Sequence, residues 1–258
     1  MSEPWKVSLH GGHSGDFCEH GHDTLREILE AAVAFGFTTF GVTAHAPAAS
    51  DSTDRRFLYE EEIAAGHSPD DLSKKFSDFA SASAQFAINF GGQLEVLRGA
   101  EIEVVPEDSF ADYASIIRTQ YDFDYLIGSV HWVDEMPFDT SRADFDKAVA
   151  NRGGLEPFLI RYYELVELMI EQVSPEIIGH IDLPRLFSDG APEHESSSVV
   201  AIVDRVLQKA AATGAILDLN VSALRKGLTT PYPSPRIVKR ATKLGVSFCF
   251  GDDSHSVT

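Results

Sequence analysis

Apolar positions along the chain switch between a helical period of about 3.6 residues and short runs bounded by turn residues. Residues 23–36 read as a helix. Leu25, Ile28, Leu29, Ala32 and Val33 share one face, Thr24 and Glu27 form a capping box, and Gly36 supplies the stop. A short strand over residues 38–43 follows. The same succession recurs further on: Val199, Ile202, Val203, Val206, Leu207 and Ala210 make a stripe closed by Gly214, ahead of a strand over 215–219. Ser234 and Pro235 then open a helix with Ile237, Val238, Ala241 and Leu244 inward, ended by Gly245 and followed by a strand over 246–250. Further strands are predicted over 6–9, 97–104, 125–130 and 177–179, with helical patterns over 70–90, 107–119 and 157–173. Phe76, Phe79, Phe86 and Phe90 keep helical spacing, which is core packing rather than a base-stacking platform.

Seven strand-helix alternations imply an α/β fold with a parallel sheet. No glycine-rich dinucleotide fingerprint follows the first strand, so a closed barrel is favoured over an open doubly wound sheet. Neither repeat nor low-complexity linker interrupts the pattern, and a single domain over residues 1–258 is expected. The weakly patterned connections at 46–69 and 132–157 are expected to shape the working face.

The 258 residues carry 21 Lys and Arg against 40 Asp and Glu, a formal net charge of −19. Such a surface repels polyphosphate, which argues against a nucleic-acid partner. No stretch reaches the ~18 apolar residues of a membrane span, the opening MSEPWKVSL lacks the regions of a signal peptide, and two cysteines make no disulfide framework. A cytoplasmic protein is expected, and a phosphorylated ligand must be attracted locally.

The chemistry lies in position. His10, His45, Glu101, His131, His180 and Asp253 each fall within or just beyond the C-terminal end of a different predicted strand. In a parallel barrel those ends converge on one rim, the functional face. The intervals are far too long and irregular for a zinc finger but natural for ligands delivered once per βα unit. His13, Asp16, Cys18, His20 and His22 follow the first strand, and His255 follows Asp253. Imidazoles with carboxylates suit catalytic Zn, Mn or Fe. The competing reading of any one such histidine is a turn cap or a partner for a backbone carbonyl.

The segments His10-Gly11-Gly12-His13-Ser14, Phe17-Cys18-Glu19-His20-Gly21, Thr43-Ala44-His45-Ala46-Pro47, Gly99-Ala100-Glu101, Gly128-Ser129-Val130-His131, Gly179-His180-Ile181-Asp182-Leu183-Pro184 and Asp253-Ser254-His255 occur in the order of the polymerase-and-histidinol-phosphatase (PHP) superfamily. The chain resembles that superfamily from about residue 8 onward, and within it the histidinol-phosphate phosphatases. The resemblance implies a distorted (β/α)7 barrel with two or three divalent metals, Zn, Fe or Mn, at its rim. It implies His10, His13, His20, His45, Glu101, His131, His180, Asp253 and His255 as metal ligands. Among these, Glu101, His131, Asp253 and His255 would be catalytic, with Glu101 bridging metals through its two oxygens.

Three features depart from that pattern. The opening His-x-His is here one residue longer, so the two rings no longer alternate on a strand and the glycines must re-aim one of them. The spacing from His13 to His20 is also one longer, leaving Asp16 and His22 as alternatives to His20. The chain stops three residues beyond His255, where relatives continue into a closing helix.

The expected chemistry is hydrolysis of a phosphomonoester, histidinol phosphate first, by a metal-bound hydroxide whose parent water has its pKa lowered from 15.7 towards ~7. Arg185 and Arg225, near the rim, are candidates to clamp the phosphate, with Lys226 behind them. Glu103, Asp134, Asp139 and Trp132 are candidates to receive a cationic leaving group. Asp182 is placed either to orient an imidazole or to cap the following turn. Cys18 is read as a small buried residue more than a thiolate ligand, and His67 and His194 as surface residues. Two rival readings share these residues: a phosphoesterase for another small ester such as a nucleotide or sugar phosphate, and a metal-binding barrel without turnover.

Overall fold

The computed structural model describes residues 6–48 and 55–257. Seven parallel strands form one sheet in sequential order: β1 (Val7–Ser8), β2 (Thr39–His45), β3 (Glu95–Glu103), β4 (Tyr125–Ser129), β5 (Ile177–Ile178), β6 (Ile216–Asn220) and β7 (Phe248–Gly251). The edges meet, because Leu9 N–H donates to the Phe250 carbonyl (2.7 Å) and the Asp252 and Asp253 amides donate to the His10 carbonyl (2.8 and 2.7 Å). The sheet is thus nearly closed into a distorted (β/α)7 barrel.

Six principal helices fill the crossovers: α1 (Leu25–Ala34), α2 (Pro69–Phe90), α3 (Phe110–Gln120), α4 (Leu155–Val173), α5 (Ser197–Thr213) and α6 (Pro235–Lys243). The Thr24–Glu27 capping box forms, and Gly214 caps α5 in the left-handed region. Phe76, Phe79 and Phe90 are buried and Phe86 packs against the same core. Both long connections hold more structure than their patterning shows. One contains the helix Glu60–Ala64. The other contains the hairpin Trp132–Val133/Met136–Pro137 and the helix Arg142–Asn151.

Period-two alternation decides what each strand presents to the barrel's inside. Outward residues such as Val42, Ala44, Ala100, Ile102, Leu126 and Leu217 join the main hydrophobic core under the helices. Inward residues at the N-terminal end form a small separate apolar plug around Tyr125, Ile127 and Ile177. Tyr125 spans this interior, its hydroxyl donating to the Leu9 carbonyl (2.6 Å). A Cβ at Gly41 or Gly99 would meet the Tyr125 side chain at 2.1 or 2.6 Å, so both strands need glycine there. Two residues further up each strand, the same inward register carries Thr43 and His45, Glu101 and Glu103, Ser129 and His131, and Asp218 and Asn220. The plug therefore gives way to a polar rim.

Candidate metal centre

Glu101 sits at the centre of that rim, 1% exposed, and each oxygen faces its own group of imidazoles. Oε2 lies 3.2, 3.7 and 3.6 Å from Nε2 of His10, His13 and His45. Oε1 lies 3.6 and 3.3 Å from Nε2 of His131 and His180. Asp253 Oδ1 closes the other side, 3.9 and 3.6 Å from the His10 and His13 Nε2 atoms. His13 stacks on His255 with ring centroids 4.5 Å apart. Donor atoms fall into triads with all members within 4.8 Å: His13, His45 and His255; His10, His180 and Asp253; His10, His13 and Glu101; Glu101, His131 and His180. A further triad, His45, Glu103 and His131, adds a carboxylate that the motif-by-motif ligand set omits.

The altered opening motif still delivers both rings, because the backbone turns between them. Gly11 (φ 157°) and Gly12 (φ 72°) take up conformations that an L side chain rarely adopts. His10 and His13 consequently both point inward and are fully buried. Two other candidate ligands hold left-handed backbone, His180 (φ 22°) and Asp253 (φ 50°). Such strain costs on the order of 1–3 kcal/mol per residue and persists where surrounding contacts over-determine it. Here the His180 amide is fixed by Asp218 Oδ1 (2.6 Å) and the Asp253 amide by the His10 carbonyl.

Three imidazoles are oriented alike. His10 Nδ1 donates to Asp218 Oδ2 (2.7 Å), His45 Nδ1 to Glu103 Oε1 (2.8 Å) and His255 Nδ1 to the Asp253 carbonyl (3.0 Å). Each ring then points its Nε2 at the cage, the nitrogen a cation binds once any proton on it is displaced. Asp218 carries no sequence motif and was missed. The available signal was an acid inside the apolar strand Ile216–Asn220, in register with the inward face. Glu103 accepts from His45, the Tyr59 hydroxyl (2.8 Å) and the Trp132 indole (3.0 Å). It holds site residues in place, and with all these donors engaged it is not the receptor for a leaving group.

Electrostatics follow from crowding. Burial alone would push the Glu101 carboxyl up, but His45 and His10 beside it hold it well below the usual carboxylate range. Asp253 is likewise held down against burial, by His10, Lys226 and His13. Burial opposes charging His10 and His131, yet Glu101 raises the first well above normal and Glu103 and Asp139 raise the second to about 10. Burial prevails at His13, which His255 and His45 also push down, and at His255, lowered to about 4. The cage thus balances its acids by placing protons on some rings and withholding them from others. Both Glu101 oxygens and His10 Nε2 are buried without a hydrogen-bond partner among the described residues. Buried carboxylate oxygens without partners, ringed by imidazole nitrogens, are what divalent cations satisfy by displacing ring protons, so the residues fit them.

Several expected site residues lie elsewhere. His20 reaches the cleft, but its Nε2 lies 3.0 Å from Cys18 Sγ and its Nδ1 3.5 Å from Glu61; it joins none of the donor triads. Asp16 caps α1 by accepting from the Leu25 amide (2.9 Å), and His22 is exposed, so neither replaces it. Arg185 is not in the cleft: its guanidinium is buried against Asp189 (2.9 Å), the Pro231 carbonyl (3.0 Å) and Thr230 (2.7 Å), which leaves no fork for phosphate. Arg225 turns to the backbone carbonyls of Asp252 (2.5 Å) and Asp253 (2.9 Å) outside the cleft, whereas Lys226, ranked below it on sequence, lines the cleft. Asp182 accepts from the Ser234 amide (2.7 Å) and orients no imidazole among the described residues. Asp134 pairs with Arg161 and Arg152. Trp132 is buried behind Tyr59, and Tyr59 rather than Trp132 forms the aromatic wall. His194 is buried beside Ser188, and His67 is half-buried on Glu19 (2.7 Å), so neither is a surface residue; each found a polar partner that folded its loop inward.

The centre floors a cleft of about 270 Å³ whose outer wall includes Tyr59, Glu61, Asp139, Thr140, Leu183 and Lys226. Comparison with known proteins matches these features. The "Probable histidinol-phosphatase" of Schizosaccharomyces pombe is 34% identical, over 96% of this chain and 80% of that protein. The crystal structure of hisK from Listeria monocytogenes superposes with TM-score 0.83 at 25% identity, covering 98% of this chain and 96% of that one. The fold is also shared with histidinol phosphate phosphatase from Lactococcus lactis, solved with zinc, L-histidinol and phosphate (TM-score 0.69, 16% identity, 98% and 87% covered). The PHP domain family matches residues 10–222, and the chain belongs to that family.

Proposed function

We propose that the protein is a metal-dependent phosphomonoesterase that hydrolyses L-histidinol phosphate to L-histidinol and phosphate, the histidinol-phosphatase step of histidine biosynthesis. The observation that carries the reading is the Glu101 carboxylate with three imidazoles on one oxygen and two on the other, at the floor of an open cleft. Support for the substrate comes from the yeast relative's name and from the histidinol and phosphate held by the Lactococcus protein.

We assign His10, His13, His45, Glu101, His131, His180, Asp253 and His255 to two or three divalent ions, zinc among them, with His20 at the margin. Bound there, the ions supply Lewis acidity for phosphoryl oxygens and lower the pKa of water. The chain's own residues do the rest. Asp218 and Glu103 fix which ring nitrogens face the reaction. Asn220 and Ser222 donate to Asp253 Oδ2 (3.4 and 3.1 Å) and hold its other oxygen toward the cage. Lys226 brings a positive charge to the cleft of an acidic protein, where a dianionic ester needs one. A small phosphorylated ester, rather than a nucleic-acid partner, accords with the net charge of −19.

The test is phosphate release from a panel of esters by metal-loaded protein and by Glu101→Gln. Histidinol phosphate should be the best substrate, and Glu101→Gln should lose at least about a hundredfold in kcat/KM with the fold intact, since an amide nitrogen replaces one of two acceptors at the centre. Equal or greater turnover of nucleotide or sugar phosphates rejects the substrate. Near-native turnover by the variant rejects the central role of Glu101.

A further inference from the structure

The cleft contains a carboxylate that phosphate hydrolysis does not call for. Asp139 lies two residues past the Trp132–Val133/Met136–Pro137 hairpin and lines the same cleft as the histidines. The residue before it is pinned: the Phe138 amide donates to the His131 carbonyl (3.1 Å), and the fully buried Phe138 ring packs on Phe158 and Tyr162. Asp139 Oδ1 is shielded from solvent and has no hydrogen-bond partner among the described residues. The Asp139 charge raises both His131 and Tyr59, which line the same cleft.

A fixed anion there repels the phosphoryl group, so it weakens binding of any ester whose leaving group is neutral or anionic. It favours one class, an ester whose leaving alcohol bears a cation. The other carboxylate of the outer wall, Glu61, is 43% exposed and faces His20 at 3.5 Å, so its charge is already answered. We propose that Asp139 is the specificity-determining residue of the cleft, accepting a charge-assisted hydrogen bond from an ammonium group on the leaving alcohol of the substrate. This rests on the phosphomonoesterase reading and names the group that distinguishes histidinol phosphate from other small esters.

The experiment compares histidinol phosphate with its desamino analogue, 3-(imidazol-4-yl)propyl phosphate, on zinc-loaded parent, Asp139→Asn and Glu61→Gln, with metal content measured in each. The parent should prefer the ester with the amine. In Asp139→Asn the ratio of the two kcat/KM values should fall at least about tenfold, the usual worth of a buried hydrogen bond to a charged group. Glu61→Gln should keep the parent's ratio. An unchanged ratio in Asp139→Asn, including an equal loss on both esters, overturns the assignment and leaves the phosphatase reading standing. An equal fall of the ratio in Glu61→Gln also overturns it, since a diffuse negative field then explains the preference. A parent that turns over the amine ester no better than the desamino ester overturns both the assignment and the reading beneath it.

Discussion

Asp218→Asn tests whether the residues behind the cage set its chemistry. The substitution keeps shape and removes one acceptor, and the hydrogen bonds around Asp218 allow the amide only two placements. With the amide oxygen on His10 Nδ1 and Asn220 Nδ2, the amide nitrogen faces the His180 amide, which now donates to Oδ1 at 2.6 Å. Two donors then oppose each other where His180 holds left-handed backbone. A buried bond to a charged acceptor is lost, worth about 1.5–3 kcal/mol. With the amide reversed, its nitrogen donates to His10 Nδ1 and clashes with Asn220 Nδ2. The His10 proton must move to Nε2, the nitrogen 3.2 Å from Glu101, and a protonated nitrogen cannot ligate. Partners of this kind are worth about 10–100-fold in metal affinity or activity. Either placement predicts a loss of that order in metal affinity, read by competition with a calibrated chelator, together with a lower kcat/KM. Metal affinity and kcat/KM within twofold of the parent, with an unchanged denaturation midpoint, would refute the reasoning.

Two more predictions follow from the cage. Gly12→Ala puts a Cβ 3.3 Å from Phe40 and Val42 at a φ of 72°, a left-handed cost of about 1–2 kcal/mol, so Tm should fall by about 2–8 °C with metal lost in parallel; an unchanged Tm contradicts the re-aiming role of the glycine. In the metal-free protein His131, normally near 6.5, is raised to about 10 because Glu103 and Asp139 outweigh burial, so it carries a proton at pH 8. Its stabilising contribution should be complete below about pH 6.5 and lost as pH rises through about 10, and zinc added to metal-free protein at pH 8 should release protons. Calorimetry in buffers of different ionisation enthalpy measures that release, and its absence would contradict the raised value.

The barrel was legible because its signals are local and repeated. The capping box at Thr24, glycine stops at Gly36, Gly214 and Gly245, and apolar runs after each helix predict the strand order without tertiary information. The cage was legible for a related reason: strand ends in a parallel barrel share one rim, so His45, Glu101 and His180 needed only their positions. What escaped was pairwise. Whether Arg185 faces phosphate or Asp189 depends on a loop at Thr230 and Pro231 that no nearby pattern links to it. Asp218 looked like one acid among 40 until the closed barrel set it under His10. Neighbouring Arg225 and Lys226 exchanged roles because a helical turn of four residues, Ser222–Arg225, decides which of them looks inward.

The barrel's closing seam runs into the histidine cage: beyond the Leu9–Phe250 bond, the amides that join the two edges belong to Asp252 and Asp253, and the carbonyl they share belongs to His10. Seam and cage therefore share backbone, so a substitution that parts the two edges displaces His10 and Asp253 as well.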